Sequence, residues 1–198
     1  MKKTIFNWFI LMSVVSLWMN VAFAHVTPPV VLISDRDAIS ALTVGATRYY
    51  IREVKLTAND LDSIKEQWGW KLEELSYRFY LGRDDQDSLV SAVAFLTEYT
   101  IDGPVRIAVA IGSDGKVKGA LIVELTRECY HWLKPLIDRN FIQDYVGQDS
   151  GGNFGLGKRL QKGHLGEMPR FYAKTVATLI KRGAVLFESA LLKRGDKR

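Results

Sequence analysis

An α+β fold, a single domain with an antiparallel sheet and flanking helices, follows from three features of the sequence. Residues 105–111 and 116–124 are strand-like runs on either side of Ser113-Asp114-Gly115, and an Asp-Gly turn between two such runs is the strongest short-range hairpin signal. Leu75, Tyr77, Phe79 and Leu81 alternate with polar neighbours, the period of a half-buried strand. Beyond Pro169, apolar residues recur at helical spacing. Strands in succession followed by a long helix, with no repeat, low-complexity tract or separating linker, give one domain.

The elements follow in order. Residues 25–33 read as an extended entry, since Pro28-Pro29 discourages helix. A short helix over 35–42 ends before Gly45, and 48–56 alternates enough for a first strand. Thr57 suits a helix N-cap; Leu61, Ile64 and Trp68 follow at helical spacing, and Gly69 supplies the stop. After the strand around Phe79, residues 82–87 are a turn-rich connection into a strand over 89–98 that is apolar on both faces. The Asp-Gly hairpin completes a meander. Residues 132–145 read as helical in part despite Pro135, and a loop with Gly147, Gly151, Gly152, Gly155, Gly157 and Gly163 follows. Pro169 fits the first turn of the last helix. There Tyr172, Val176, Leu179, Gly183 and Phe187 form an apolar stripe beside a face of Phe171, Thr175, Leu179, Arg182 and Leu186.

The first residues carry an address. Lys2 and Lys3 precede an apolar run over 5–15, and Ala22-Phe23-Ala24 is a small-x-small cleavage site. This is the pattern of a secretory signal peptide over 1–24, leaving a mature domain over 25–198 in the periplasm. The rival reading is an uncleaved anchor over 6–23, about long enough to span a bilayer, which would tether the domain to the membrane; Asn7, Ser13, Ser16 and Asn20 interrupt it. Losing the leader lowers the net charge from +5 to +3. That balance, with scattered basic residues, gives no nucleic-acid footprint. Cys129 is the single cysteine, so the chain forms no internal disulfide and depends on its apolar core.

Several motifs, taken in order over residues 41–192, are similar to the FMN-binding domain of exported electron-transfer flavoproteins. They are Val44-Gly45-Ala46-Thr47-Arg48, Phe79-Tyr80-Leu81-Gly82, Ile101-Asp102-Gly103-Pro104, Ala108-Val109-Ala110-Ile111 and Asp114-Gly115-Lys116-Val117-Lys118-Gly119. Glu128-Cys129-Tyr130, Phe141-Ile142-Gln143-Asp144-Tyr145-Val146-Gly147 and Leu156-Gly157-Lys158 continue the series. The resemblance implies FMN as cofactor, electron transfer as activity, and a redox partner protein, membrane-bound in the complexes where such domains occur.

The resemblance also exposes a gap. Covalent members carry a Ser-Gly-Ala-Thr-like signature before the last helix, whose threonine bears the flavin. Here Arg170 stands in the ungapped match and Thr175 in a shifted one, and neither restores the motif, so the flavin is expected to be non-covalent. Such a flavin needs cations or amides for its phosphate and a flat wall for its ring. Lys158 and Arg159 beside Gly155 and Gly157 supply a candidate cradle, because glycines let amides approach an anion at a helix start. Arg170 offers a bidentate phosphate contact. Tyr130, Trp132 and Tyr172 offer the wall, and the family pattern adds Glu128. Against this stands a plain reading in which the glycines make turns, the cations are solvated and the aromatics are core.

Other chemistries find less. There is no nucleophile elbow, and His25, His131 and His164 lack metal-ligand spacing. Cys129 reads as a buried structural thiol. Two functions remain: a periplasmic flavin carrier, or a flavin-free relative that uses the same scaffold to bind a partner.

Overall fold

The computed structural model describes residues 28–161 and 164–193. The expected leader, its expected cleavage site and residues 194–198 lie outside them. The chain runs β1 (Val30–Val31), α1 (Asp35–Leu42), β2 (Arg48–Lys55), α2 (Ala58–Trp68), β3 (Ser76–Arg83), β4 (Leu89–Thr100), β5 (Gly103–Ile111) and β6 (Val117–Leu125). Then come α3 (Arg127–Ile137), a 3-10 turn (Phe141–Tyr145), the single turn α4 (Lys158–Gln161) and α5 (Glu167–Phe187), which a π-helical turn (Glu188–Leu192) prolongs. The six strands form one antiparallel sheet in the order β1-β6-β5-β4-β3-β2. This is the expected α+β domain with flanking helices.

Pleating sends alternate residues to opposite faces of the sheet. On one face, Val105, Ile107, Val109 and Ile111 of β5 join Phe79, Ala94 and Ile122 beneath α5. The stripe read from the sequence meets them: Tyr172, Val176, Leu179, Gly183 and Phe187 are all buried. A close approach lies at Gly183, where a Cβ would stand 3.0 Å from Val109 Cγ1. Helix and sheet therefore touch backbone to side chain at that point.

The opposite face is covered in part. Ala38 of α1 packs on Val93, Ala108, Ala110 and Val123. A clamp holds the helix there: Arg106 donates to both carboxylate oxygens of Asp35 at 2.6 and 2.8 Å and lies 4.5 Å from the Phe95 ring centre. The bidentate contact holds the Asp35 carboxyl below its usual range.

Local chemistry sets the other ends. Thr57 and Asp60 form a capping box for α2, and Gly69 ends it in the left-handed region. Two boundaries differ from expectation. Gly82 and Arg83 continue β3 rather than opening the turn; a Cβ at Gly82 would meet Ala46 and Thr43 at 2.9 Å, so this glycine admits a close neighbour. The helix expected over 132–145 begins earlier, because the Thr126 hydroxyl accepts from the Cys129 N–H and caps α3. It ends two residues past Pro135, and residues 141–145 form the separate 3-10 turn.

Two phenols tie stability to pH. Burial pushes Tyr77 and Tyr145 up to about 12. In the unfolded chain each ionises at its ordinary value, so this stabilisation is complete below that value and is lost as pH rises toward 12. Urea unfolding at pH 8 and 11 should show a marked fall in stability, and Tyr145→Phe should flatten the slope between them. A slope unchanged by the substitution would remove Tyr145 as a cause.

Candidate functional site

The β4–β5 turn builds one end of the molecule. Thr100 Oγ1 donates to Gly103 O at 2.7 Å and accepts from the Asp102 N–H. Thr126 Oγ1 donates to Asp102 O at 2.6 Å while capping α3. From α5, the Tyr172 hydroxyl donates to Asp102 Oδ2 at 2.8 Å and lies 3.0 Å from Thr100 Oγ1 and 3.4 Å from Cys129 Sγ. Burial first, then its contact with the thiol, drive the phenol well above its ordinary range. Tyr172 thus stays neutral and can donate. The knot joins the turn, α3 and α5 through side chains that are otherwise short.

A cleft opens beside this knot. The end of β4 and the outer flank of α5 enclose a cavity of about 370 Å³, lined by Glu98, Tyr99, Thr100, Phe171, Lys174, Thr175, Thr178 and Arg182. Phe171 is 43 % exposed and Tyr99 81 %, so two aromatic rings are available to a ligand. Thr175 Oγ1 donates to Phe171 O at 3.1 Å, which leaves its lone pairs for a donor. A second cavity of about 410 Å³ shares Glu98, Tyr99 and Arg182 and continues toward Glu73, Glu74, Tyr77 and Phe95. Both volumes fall within the range of about 300–1,000 Å³ typical of small-molecule sites.

Arg182 stands at the junction. One Nη donates to Glu98 Oε2 at 3.1 Å, and its carbon Cζ lies 5.8 Å from the Trp70 ring centre. Its Nε–H is buried and meets no acceptor among the described residues. A buried donor without a partner costs free energy that an acceptor would recover.

The residues read from the sequence divide among three places. Thr175 lines the cleft. Arg170 is exposed one turn before Lys174 and does not line either cavity. Glu128 lies exposed in the first turn of α3, where the helix dipole favours a carboxylate, and Tyr130 is half-buried against the main core. Tyr172 is fully buried with its hydroxyl engaged, so its expected role as a ring wall is corrected: it presents no free face. The Gly157–Lys158 cradle is corrected as well. Asp144 takes the place of the anion, accepting from the Arg159 N–H at 2.8 Å and pairing with its guanidinium. A Cβ at Gly157 would collide with that carboxylate. Lys158 is exposed beside this internal pair.

Sequence reasoning missed Tyr99 and Lys174 and read Phe171 and Arg182 only as members of a helix face. The spacing held a signal: Phe171, Thr175, Thr178 and Arg182 follow at i, i+4, i+7 and i+11, one flank of a helix. No group of metal-ligating side chains occurs among the described residues, and none of their helices is long and apolar enough to cross a membrane. Comparison with protein-family models, with curated proteins and with solved structures finds no match. The likeness to FMN-binding domains therefore rests on the sequence motifs alone.

The knot and the cleft should separate under mutation. Tyr172→Phe strands the Asp102 carboxylate and should cost about 1–3 kcal/mol in denaturant unfolding. Thr175→Ala should cost under about 0.5 kcal/mol. Equal losses would mean that Thr175 belongs to the framework rather than to an open site.

Proposed function

We propose that the chain is an exported electron-transfer protein that binds FMN non-covalently in the cleft between the end of β4 and α5. The observation that carries this reading is Arg182, which lines both cavities and keeps a buried Nε–H without an acceptor among the described residues, on a cleft that also holds the exposed rings of Tyr99 and Phe171. Flavin, when bound, supplies the redox chemistry, and the protein supplies position and electrostatics. Tyr99 and Phe171 offer flat apolar surface to a ring system. Arg182 offers a fixed donor, and Lys174 a cation for a phosphate. At the other end Glu73 and Glu74 outnumber Lys71, so the phosphate belongs on the Lys174 side. Thr175 lies within the cleft without the flanking motif of covalent carriers. The electron acceptor or donor is a redox partner protein at the periplasmic face of the membrane.

A second reading has its own support. Ile101 is 83 % exposed and stands beside Tyr99 on the β4–β5 turn, an apolar tip suited to a protein partner. On this reading the chain is a flavin-free scaffold that docks through that turn.

The absorbance spectrum of the purified protein divides the two. Flavin bands that leave the chain on denaturation and filtration are expected; bands that stay would mean a covalent link, and no bands with no measurable FMN affinity would favour the scaffold. Lys174→Ala should weaken FMN about tenfold or more while leaving riboflavin, which lacks the phosphate, nearly unchanged. The difference should shrink at high salt. Equal weakening of both ligands would place the phosphate elsewhere.

A further inference from the structure

The two edges of the sheet are treated differently. At the β6 edge, β1 pairs with Leu125 and Glu124, and Leu32 N–H donates to Val123 O. Further along, Val117 exchanges two hydrogen bonds with Gln148 O and the Gly147 N–H. At the other edge β2 pairs only with β3, and no second strand adjoins it among the described residues. Such an edge is a template for another strand, and proteins commonly blunt it with proline, bulges, lysine or short length. Strand β2 has eight residues in unbroken register with β3 and no proline, and its charges, Arg48, Arg52, Glu53 and Lys55, are of both signs. Its sequence is Arg48-Tyr49-Tyr50-Ile51-Arg52-Glu53-Val54-Lys55, and Ile51, 66 % exposed, stands at its middle.

Leu56 N–H donates to Leu75 O, so even-numbered positions of β2 bond inward and the N–H and C=O groups of Tyr49, Ile51 and Glu53 face outward. A second copy can add antiparallel to this edge about a two-fold axis perpendicular to the sheet. That symmetry keeps each face on its own side, so only residues of like parity can oppose one another, and the axis must pass through a single residue. Centring on Tyr50 sets Arg48 against Arg52, centring on Arg52 or Glu53 sets a charge against itself, and centring on Tyr49 or Val54 pairs only three positions of the strand. Centring on Ile51 opposes Ile51 to Ile51, Tyr50 to Arg52, Tyr49 to Glu53 and Arg48 to Val54, with no like charges opposite, the arrangement cross-strand pairing favours.

We propose that β2 is a dimer interface, pairing with β2 of a second copy around Ile51 and merging two six-stranded sheets into one. Sedimentation equilibrium on the protein as isolated should show a reversible dimer, and Ile51→Lys should weaken it about tenfold or more, as a buried like-charge pair at the axis would. Circular dichroism of that variant should match the parent, because the position 51 backbone does not bond to β3. The register has its own test. Opposed residues of a hydrogen-bonded pair lie about 5.5 Å apart at Cα, within disulfide reach, so Ile51→Cys should cross-link to itself on mild oxidation. Tyr49→Cys should not, its copies being about 13 Å apart along the strands, nor should the parent, whose Cys129 is buried. A protein that stays monomeric at high concentration with no Ile51→Cys cross-link overturns the proposal and leaves the edge to a strand of another protein. Cross-linking through Tyr49→Cys in preference to Ile51→Cys overturns the register.

Discussion

The hydrogen bond from Tyr172 to Asp102 is the contact on which the arrangement of the molecule rests. Asp102 sits in the turn between two central strands, and its backbone carbonyl is held in turn by Thr126, the cap of α3. One residue thereby fixes the start of α5, the start of α3 and the sheet to one another. A partly buried carboxylate contact of this kind is costly to leave unmade, so the turn cannot drift without disturbing both helices. The flank of α5 that bears Phe171, Thr175 and Arg182 inherits its position from this point.

Arginine 182 and Asp144 show two outcomes for charge in the same fold. Asp144 is satisfied within its own neighbourhood, by the backbone and side chain of Arg159, and the loop that carries Gly157 closes around it. The outward-looking chemistry of that loop is consumed by the chain itself. Arg182 is half satisfied by Glu98, its Nε–H is buried without an acceptor among the described residues, and the residue lines both cavities. Internal saturation reads as structure, and an unfilled valence beside open volume reads as a place for something else.

The fold was legible to the extent that local signals fixed it. Thr57 and Gly69 bounded α2, the Asp-Gly turn placed β5 and β6, and the stripe through Val176 and Gly183 oriented α5, because each depends on neighbours in sequence. Thr126 escaped notice because its cap lies where strand and helix meet without a break, with no turn residue to announce it. The site was less legible for a different reason. The apolar stripe put Tyr172 toward the core, but its hydroxyl meets Asp102 seventy residues away in sequence, a contact that helical spacing does not encode. Asp144 and Arg159 meet across a glycine-rich loop, a pairing that no periodicity encodes.

The strand order bears on the sequence of events by which the domain assembles. From β3 to β6 successive strands are joined by short loops, so these additions cost little chain entropy, and β2 joins β3 across the α2 excursion. The stretch from Val30 to Leu42 is the exception: β1 needs Leu125, and Asp35 needs Arg106. A chain that emerges N-terminus first presents this stretch long before its partners exist. The arm that carries Val30, Val31 and Asp35 therefore has no strand to pair with and no Arg106 to clamp it until the last hairpin has formed. Its docking covers the part of the β6 edge that Gln148 and Gly147 leave open.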